Sequence, residues 1–181
     1  MPRKPLFRLA LLCALPLVTQ CTGIPEGLEP VRDFDLDGYL GTWHEIARLN
    51  HRFERGLTAV TANYSLRDDG GIMVVNRGYN AEAGEWEEAV GKAYPVDTPD
   101  VGRLKVSFFG PFYGGYNVIA LERQPSECSM VAGPSRSYLW ILCRATEPNS
   151  AQIERLVATA GDLGFATDEL IFVSHRSPAV D

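Results

Sequence analysis

Residues 102–123, GRLKVSFFGPFYGGYNVIALER, decide the fold class. They read as a strand over 102–109 and a second over 115–123. The turn between them, Gly110-Pro111-Phe112-Tyr113-Gly114-Gly115, supplies the backbone angles that a reversal needs. The same rhythm extends outward in both directions. Strands are predicted at 42–49, 58–67, 71–79 and 86–94 on one side and at 127–132 and 138–144 on the other, divided by Asp68-Asp69-Gly70-Gly71, Asn80-Ala81-Glu82-Ala83-Gly84 and Gly133-Pro134-Ser135-Arg136. Strands at such even spacing make a sandwich or a barrel.

After Arg144 the period changes. Ile153, Leu156, Val157 and Ala160 fall at i, i+3, i+4 and i+7, which predicts one amphipathic helix over 150–160, stopped at Gly161 or Gly164. A short strand over 170–174 follows, and Phe34 to Gly41 predicts a single helical turn ahead of the first strand. A barrel spanning the outer membrane needs a continuous apolar outer band with aromatic girdles. Here charges recur inside the strands, at Arg48, Arg77, Glu87, Lys92 and Lys105, and an amphipathic helix needs a water-facing wall to lie on. The expectation is therefore an all-β fold: an eight-stranded antiparallel up-and-down barrel, closed on itself, with one C-terminal α-helix packed outside.

The first residues have another character. Arg3, Lys4 and Arg8 lead into an apolar run from Leu9 to Val18, the layout of an export signal and too short to span a bilayer. Leu17-Val18-Thr19-Gln20-Cys21 resembles the lipobox of bacterial lipoproteins, in which the cysteine becomes the acylated, palmitate-bearing N-terminus of the mature chain. Gln20 departs from that pattern, which usually has Gly, Ala or Ser there. Two outcomes stay open: acylation at Cys21, or ordinary cleavage near Cys21 to Gly23 releasing a free periplasmic protein. The predicted division is a signal peptide over 1–20, an anchor and Gly/Pro-rich linker over 21–33, and the barrel with its helix over 34–181, with folding starting after the linker. Loss of residues 1–20 removes three cations and shifts the formal charge from −6 to −9. So acidic a body argues against nucleic acid as a partner and leaves membrane contact to the anchor.

Gly41-Thr42-Trp43 at the first strand, the FFGPFYGGY stretch over 108–116, and Trp140-Ile141-Leu142-Cys143-Arg144 at the eighth strand together resemble the lipocalin signature. The likeness runs through His44-Glu45-Ile46-Ala47-Arg48, Arg52-Phe53-Glu54-Arg55-Gly56-Leu57 and Tyr64-Ser65-Leu66. The chain is similar to the bacterial outer-membrane lipoprotein lipocalins, relatives of apolipoprotein D, from about Phe34 to Ser174. His44 stands where the family usually has Tyr, and the middle motif is degenerate near Leu121-Glu122-Arg123.

The resemblance implies a lipid-binding protein of the bacterial outer membrane, anchored by lipid and facing the periplasm. It would store or carry fatty acids or lysophospholipids, without cofactor, metal or catalysis. Whether two barrels pair stays open. Closure of an eight-stranded barrel makes the first and last strands neighbours, so Trp43 and Arg144 should meet as a structural plug at the closed end. With Trp43 inward, alternation and the resemblance place Glu45, Ala47, Leu49, Ala62, Tyr64, Val74, Asn76, Ala89, Gly91, Leu104, Val106, Phe108, Tyr116, Val118, Ala120, Tyr138, Trp140 and Leu142 on the inner face. The mouth then carries His51, Arg52 and Arg55 as a basic cluster and Phe112 and Tyr113 as an apolar lip. The competing reading of the basic cluster is solvated rim charge.

Rival classes fare less well. The three histidines fall at separate places, His44 beside Trp43 on the outside, His51 at the rim and His175 after the last strand, and neither HExxH nor GxSxG occurs. A structural envelope protein without ligand and a lipocalin-type isomerase are the alternatives. Finally, Cys128 and Cys143 flank the turn at 133–136. If the hairpin is symmetric about it, Met130 faces Ile141, Ala132 faces Leu139 and the two cysteines face each other, close enough for a disulfide on the outer wall. Two free buried thiols are the other outcome.

Overall fold

The computed structural model describes residues 22–176. The signal over 1–20 and the anchor candidate Cys21 lie outside the described residues. A short helical turn, α1 (Leu36–Tyr39), precedes eight strands: β1 (Gly41–Arg48), β2 (Leu57–Leu66), β3 (Ile72–Asn80), β4 (Glu85–Pro95), β5 (Arg103–Ser107), β6 (Gly114–Glu122), β7 (Cys128–Ala132) and β8 (Leu139–Cys143). Each pairs antiparallel with the next, and β1 pairs with both β2 and β8, so the sheet closes into a barrel. Helix α2 (Ser150–Asp162) lies outside, and β9 (Ile171–Phe172), a two-residue strand, joins the outer edge of β1.

Local chemistry explains the boundaries. The side chain of Asn80 accepts from the backbone N–H groups of Glu82 and Ala83, and Gly84 takes a positive φ of 71°, so β3 turns into β4 within four residues. Asn149 caps α2 by accepting from Gln152 N at 3.2 Å, and Gly164, at φ 82°, ends the helix where L side chains are strained. The buried stripe of α2, Gln152, Ile153, Leu156 and Ala160, lies on the outer wall of β1, β7 and β8 among Ile46, Ala47, Met130, Ile141 and the cysteine pair. A second core fills the closed end of the barrel, around Trp43, Tyr39, Phe34, Val118 and Val131.

Trp43 is fully buried and donates to the Tyr39 carbonyl at 2.8 Å. The Arg144 guanidinium lies 4.0 Å from the centroid of its indole and donates to the carbonyls of Gly38, Leu40 and Thr42. One cation thus ties α1, the start of β1 and the end of β8 into a plug, as barrel closure requires.

Three inward assignments, Ala47, Leu49 and Ala120, fail here for the same reason. A bulge between Glu45 and Ala47 adds one residue to β1, so Glu45 opposes Leu142 and Arg48 opposes Trp140 while Ala47 opposes Ile141. Ala47 and Leu49 therefore face outward under α2, and Arg48 turns into the lumen. A second bulge between Val118 and Ala120 moves Ala120 to the outer wall as well. In β4, Ala89 is exposed, because residues 85–91 pair with β3 alone and β5 reaches β4 only from Lys92 to Pro95.

The linker is not loose. Leu28 is buried in the outer core, Val31 donates to Val118 O and accepts from Gly102 N, and Phe34 donates to Asp100 O. Residues 22–33 form a strap along the barrel, because the apolar Leu28 and Val31 have a wall to cover and the strap's amides find partners there.

Candidate functional site

The lumen holds a cavity of about 90 Å³. Its walls are Ala62, Tyr64, Val74, Ala93, Leu104, Val106, Tyr116 and Leu142, mostly apolar, with Val60, Thr61, Asn76, Phe108, Trp140, Glu45 and Glu54 completing the lining. Of the residues read as inward from the sequence, Glu45, Ala62, Tyr64, Val74, Asn76, Leu104, Val106, Phe108, Tyr116, Trp140 and Leu142 line this cavity. Val118 is inward too but lies in the packed closed end, and Tyr138 sits by the rim, its ring 5.9 Å from His51.

Toward the closed end, three tyrosine hydroxyls converge. Tyr116 Oη lies 2.9 Å from both Tyr39 Oη and Tyr64 Oη, and Tyr39 Oη lies 3.0 Å from Ser129 Oγ. This chain satisfies polar atoms that a hydrocarbon floor would strand. Burial pushes the Tyr39 phenol up to about 12, against the pull of its hydrogen bonds to Ser129 and Tyr116, so the floor stays neutral.

Toward the mouth the lining becomes ionic. Loop 1 (residues 49–56) folds inward, so that Glu54 reaches the lumen and accepts from Trp140 Nε1 at 3.1 Å, while His51 Nε2 lies 3.2 Å from the same carboxylate. Arg48 donates to Glu45 Oε1 and to the carbonyls of Glu54 and Leu57, pinning loop 1 to the wall. Burial and then the neighbouring Glu54 charge hold the Glu45 carboxyl well above its ordinary value, with Arg48 opposing. Burial would raise Glu54 too, but the His51 ring and the Trp140 indole hold it below the ordinary value.

The mouth differs from its sequence reading at His51. That ring is buried between Phe53, Tyr138 and Trp140 and is no part of an exposed basic cluster; only Arg52 and Arg55 stand in solvent. Phe112 is exposed in loop 5 (residues 108–113), and Tyr113 is half-buried beside Lys105. Arg48 and Glu54 were missed as lumen residues. Arg48 needed the bulge, and Glu54 needed the inward path of loop 1, neither of which alternation signals. Ala93 continues the phase of Ala89 and Gly91 and was legible.

His44 and His175 meet on the outer wall with ring centroids 5.2 Å apart, away from His51, and His175 bonds the Glu45 carbonyl. Cys128 and Cys143 are joined by a disulfide under α2, opposed in the register expected, with Met130 opposite Ile141 and Ala132 opposite Leu139.

Known proteins resemble this arrangement. The family profile described as a lipocalin-like domain matches residues 34–175. The chain is 49% identical over 166 residues to a protein of Vibrio cholerae named outer membrane lipoprotein Blc, covering 92% of this chain and 96% of that one. It is 51% identical over 161 residues to the protein of that name from Escherichia coli, covering 88% and 90%. Among solved structures, insecticyanin from the tobacco hornworm Manduca sexta superposes with a TM-score of 0.64 at 22% identity, over 86% of this chain and 88% of that one.

Proposed function

The chain belongs to the lipocalin family, and on that premise we propose that it holds a fatty acid or lysophospholipid, hydrocarbon in the barrel and headgroup at the mouth. In this role it stores or carries lipid for upkeep of the bacterial envelope. The observation that carries the reading is the mostly apolar lumen, stopped at one end by Trp43 and Tyr39 and bordered at the other by loop 1 and Phe108. Each buried methylene contributes about 0.8 kcal/mol, so a chain of a dozen carbons gains roughly 10 kcal/mol gross, and ordering reduces this to micromolar binding or somewhat tighter.

The closed lumen is tight for such a guest. Sites for molecules of drug size span roughly 300–1,000 Å³, and this one measures about 90 Å³. Entry of a long chain therefore requires Phe108 and Trp140 to turn aside or loop 1 to lift. The proposed role is binding, in keeping with the lipocalin-like profile that the chain matches.

The relatives' name supports an outer-membrane site for this chain, and with the lipobox-like Cys21 it supports a periplasm-facing protein held by an acyl anchor after loss of residues 1–20. Intact mass tests this: the mature chain should begin at Cys21 and carry acyl chains, and a start beyond Cys21 makes it a free periplasmic lipocalin.

Ligand binding is tested by Val106→Asp. An unpartnered polar group in an apolar wall costs about 1–3 kcal/mol, so a fluorescent fatty acid should bind roughly five- to a hundredfold more weakly, with the far-ultraviolet circular dichroism unchanged. Unaltered affinity in the folded variant removes the lumen as the binding site.

A further inference from the structure

Exposed aromatic rings lie in or beside three of the four loops at the open end: Phe53 in loop 1, Trp86 in β4 just after loop 3 (residues 81–84), and Phe109 and Phe112 in loop 5. Phe109 and Phe112 are 75% and 71% exposed, unusual for side chains of that size, and loops 1 and 5 lie across the mouth from one another. At each of the three a cation lies over a ring, from loop 1 itself or from the strand that leads into loop 3 or loop 5. Arg52 lies 5.3 Å from the centroid of Phe53, Arg77 4.3 Å from that of Trp86, and Lys105 5.2 Å from that of Tyr113. Aromatic rings with a polar or cationic companion are suited to the headgroup layer of a bilayer, where one side of the group is apolar and the other wet.

The course of the strap adds an independent constraint. The Gly23 carbonyl accepts from Asn117 Nδ2 at 3.2 Å, at the start of β6 beside loop 5. A Cβ on Gly115 would strike that same carbonyl, and Glu26 O accepts from Arg136 in loop 7 (residues 133–138) at 2.8 Å. Residues 22–26 therefore lie at the mouth, and the strap then runs to the closed end, where Phe34 bonds Asp100. A chain tethered through its N-terminal end hangs with its mouth toward the tether.

We propose that the open end of the barrel docks on the surface of a phospholipid bilayer, its aromatic rim at headgroup depth, so that lipid passes between membrane and lumen without crossing water. The proposal rests on the lipid-binding and anchoring reading above. The exposed carboxylates of Glu82, Glu85 and Glu87 border loop 3, so burial of the rim's rings has to outweigh their repulsion from an anionic surface.

Tryptophan emission tests the orientation. Trp43 is buried in the closed end and Trp140 borders the lumen, whereas Trp86 is exposed on the outside of the rim. The mature protein is mixed with vesicles of phosphatidylethanolamine and phosphatidylglycerol whose acyl chains are brominated, alongside a Trp86→Phe variant. Quenching present in the unaltered protein and absent from W86F reports rim contact, while quenching that persists in W86F reports lipid taken up beside Trp140. The expected result is a Trp86 component quenched roughly twofold or more and restored by the double change Phe109→Ser and Phe112→Ser. A Trp86 component that the brominated lipid leaves unquenched overturns docking, whether the protein floats with the vesicles through its anchor or stays behind. Persistent Trp140 quenching in that case leaves the lipid-binding reading standing.

Discussion

Replacing Arg48 with methionine is expected to lower the stability of the barrel by about 3–5 kcal/mol, measured by urea denaturation at neutral pH. Arg48 and Glu45 are each about 2% exposed, and the guanidinium also satisfies the Glu54 carbonyl in loop 1 and the Leu57 carbonyl at the start of β2. Its loss leaves the Glu45 carboxyl facing Glu54 without a cation, in a setting where an unpaired charge is costly. The deficit should depend on pH. Because the folded pKa of Glu45 is raised, the folded chain keeps a proton that the unfolded chain releases. Its contribution therefore weakens as pH climbs from the ordinary carboxylate value toward the folded one. Glu54, with a lowered folded pKa, acts oppositely: its contribution is present above the ordinary value and is lost as pH falls through the folded one. Removing Arg48 raises Glu45 further, so the variant should recover part of its deficit at pH 5 relative to pH 8. A further change of Glu45 to glutamine should remove most of that pH dependence. A deficit below about 1 kcal/mol would place Arg48 with exposed ion pairs and not with buried ones.

The same residue shows where sequence reading stops. Period-two alternation from Trp43 correctly turns Glu45 inward, but the extra residue at the Ile46 bulge reverses the phase, and nothing in HEIAR distinguishes a strand with a bulge from one without. Arg48 in a strand reads as a water-facing charge, and its place inside depends on partners from loop 1 that no local pattern reveals. The strap is similar: Pro25, Gly27 and Pro30 read as a linker, while the burial of Leu28 depends on a wall built a hundred residues later. What was legible was set locally or by closure. Turn residues bounded the strands, the helix period located α2, and the meeting of Trp43 with Arg144 followed from joining the first strand to the eighth. The β7–β8 hairpin belongs here as well, since its short turn at Gly133 to Arg136 left little freedom in register.

That register underlies the second large effect. Replacing both Cys128 and Cys143 with serine is expected to destabilise the chain by about 3 kcal/mol, the chain-entropy value for a loop of some fifteen residues. For a domain of this size that corresponds to a fall in melting temperature of roughly 6–12 °C. The bond closes a hairpin whose strands also pair through Ser129 with Leu142 and Met130 with Ile141, so the register should survive its loss. The cost falls chiefly on the unfolded side, where the reduced chain gains freedom, with a smaller part from two hydroxyls buried against Leu156 and Ile153 under α2. Reduction of the unaltered protein separates the two contributions. It opens the loop without adding hydroxyls, so the reduced protein should melt below the oxidised protein and slightly above the double serine variant. Thiol counting on the denatured, unreduced protein should find neither sulfur free. Equal melting temperatures before and after reduction would show that the hairpin is held by its strand pairing and the packing of α2 alone.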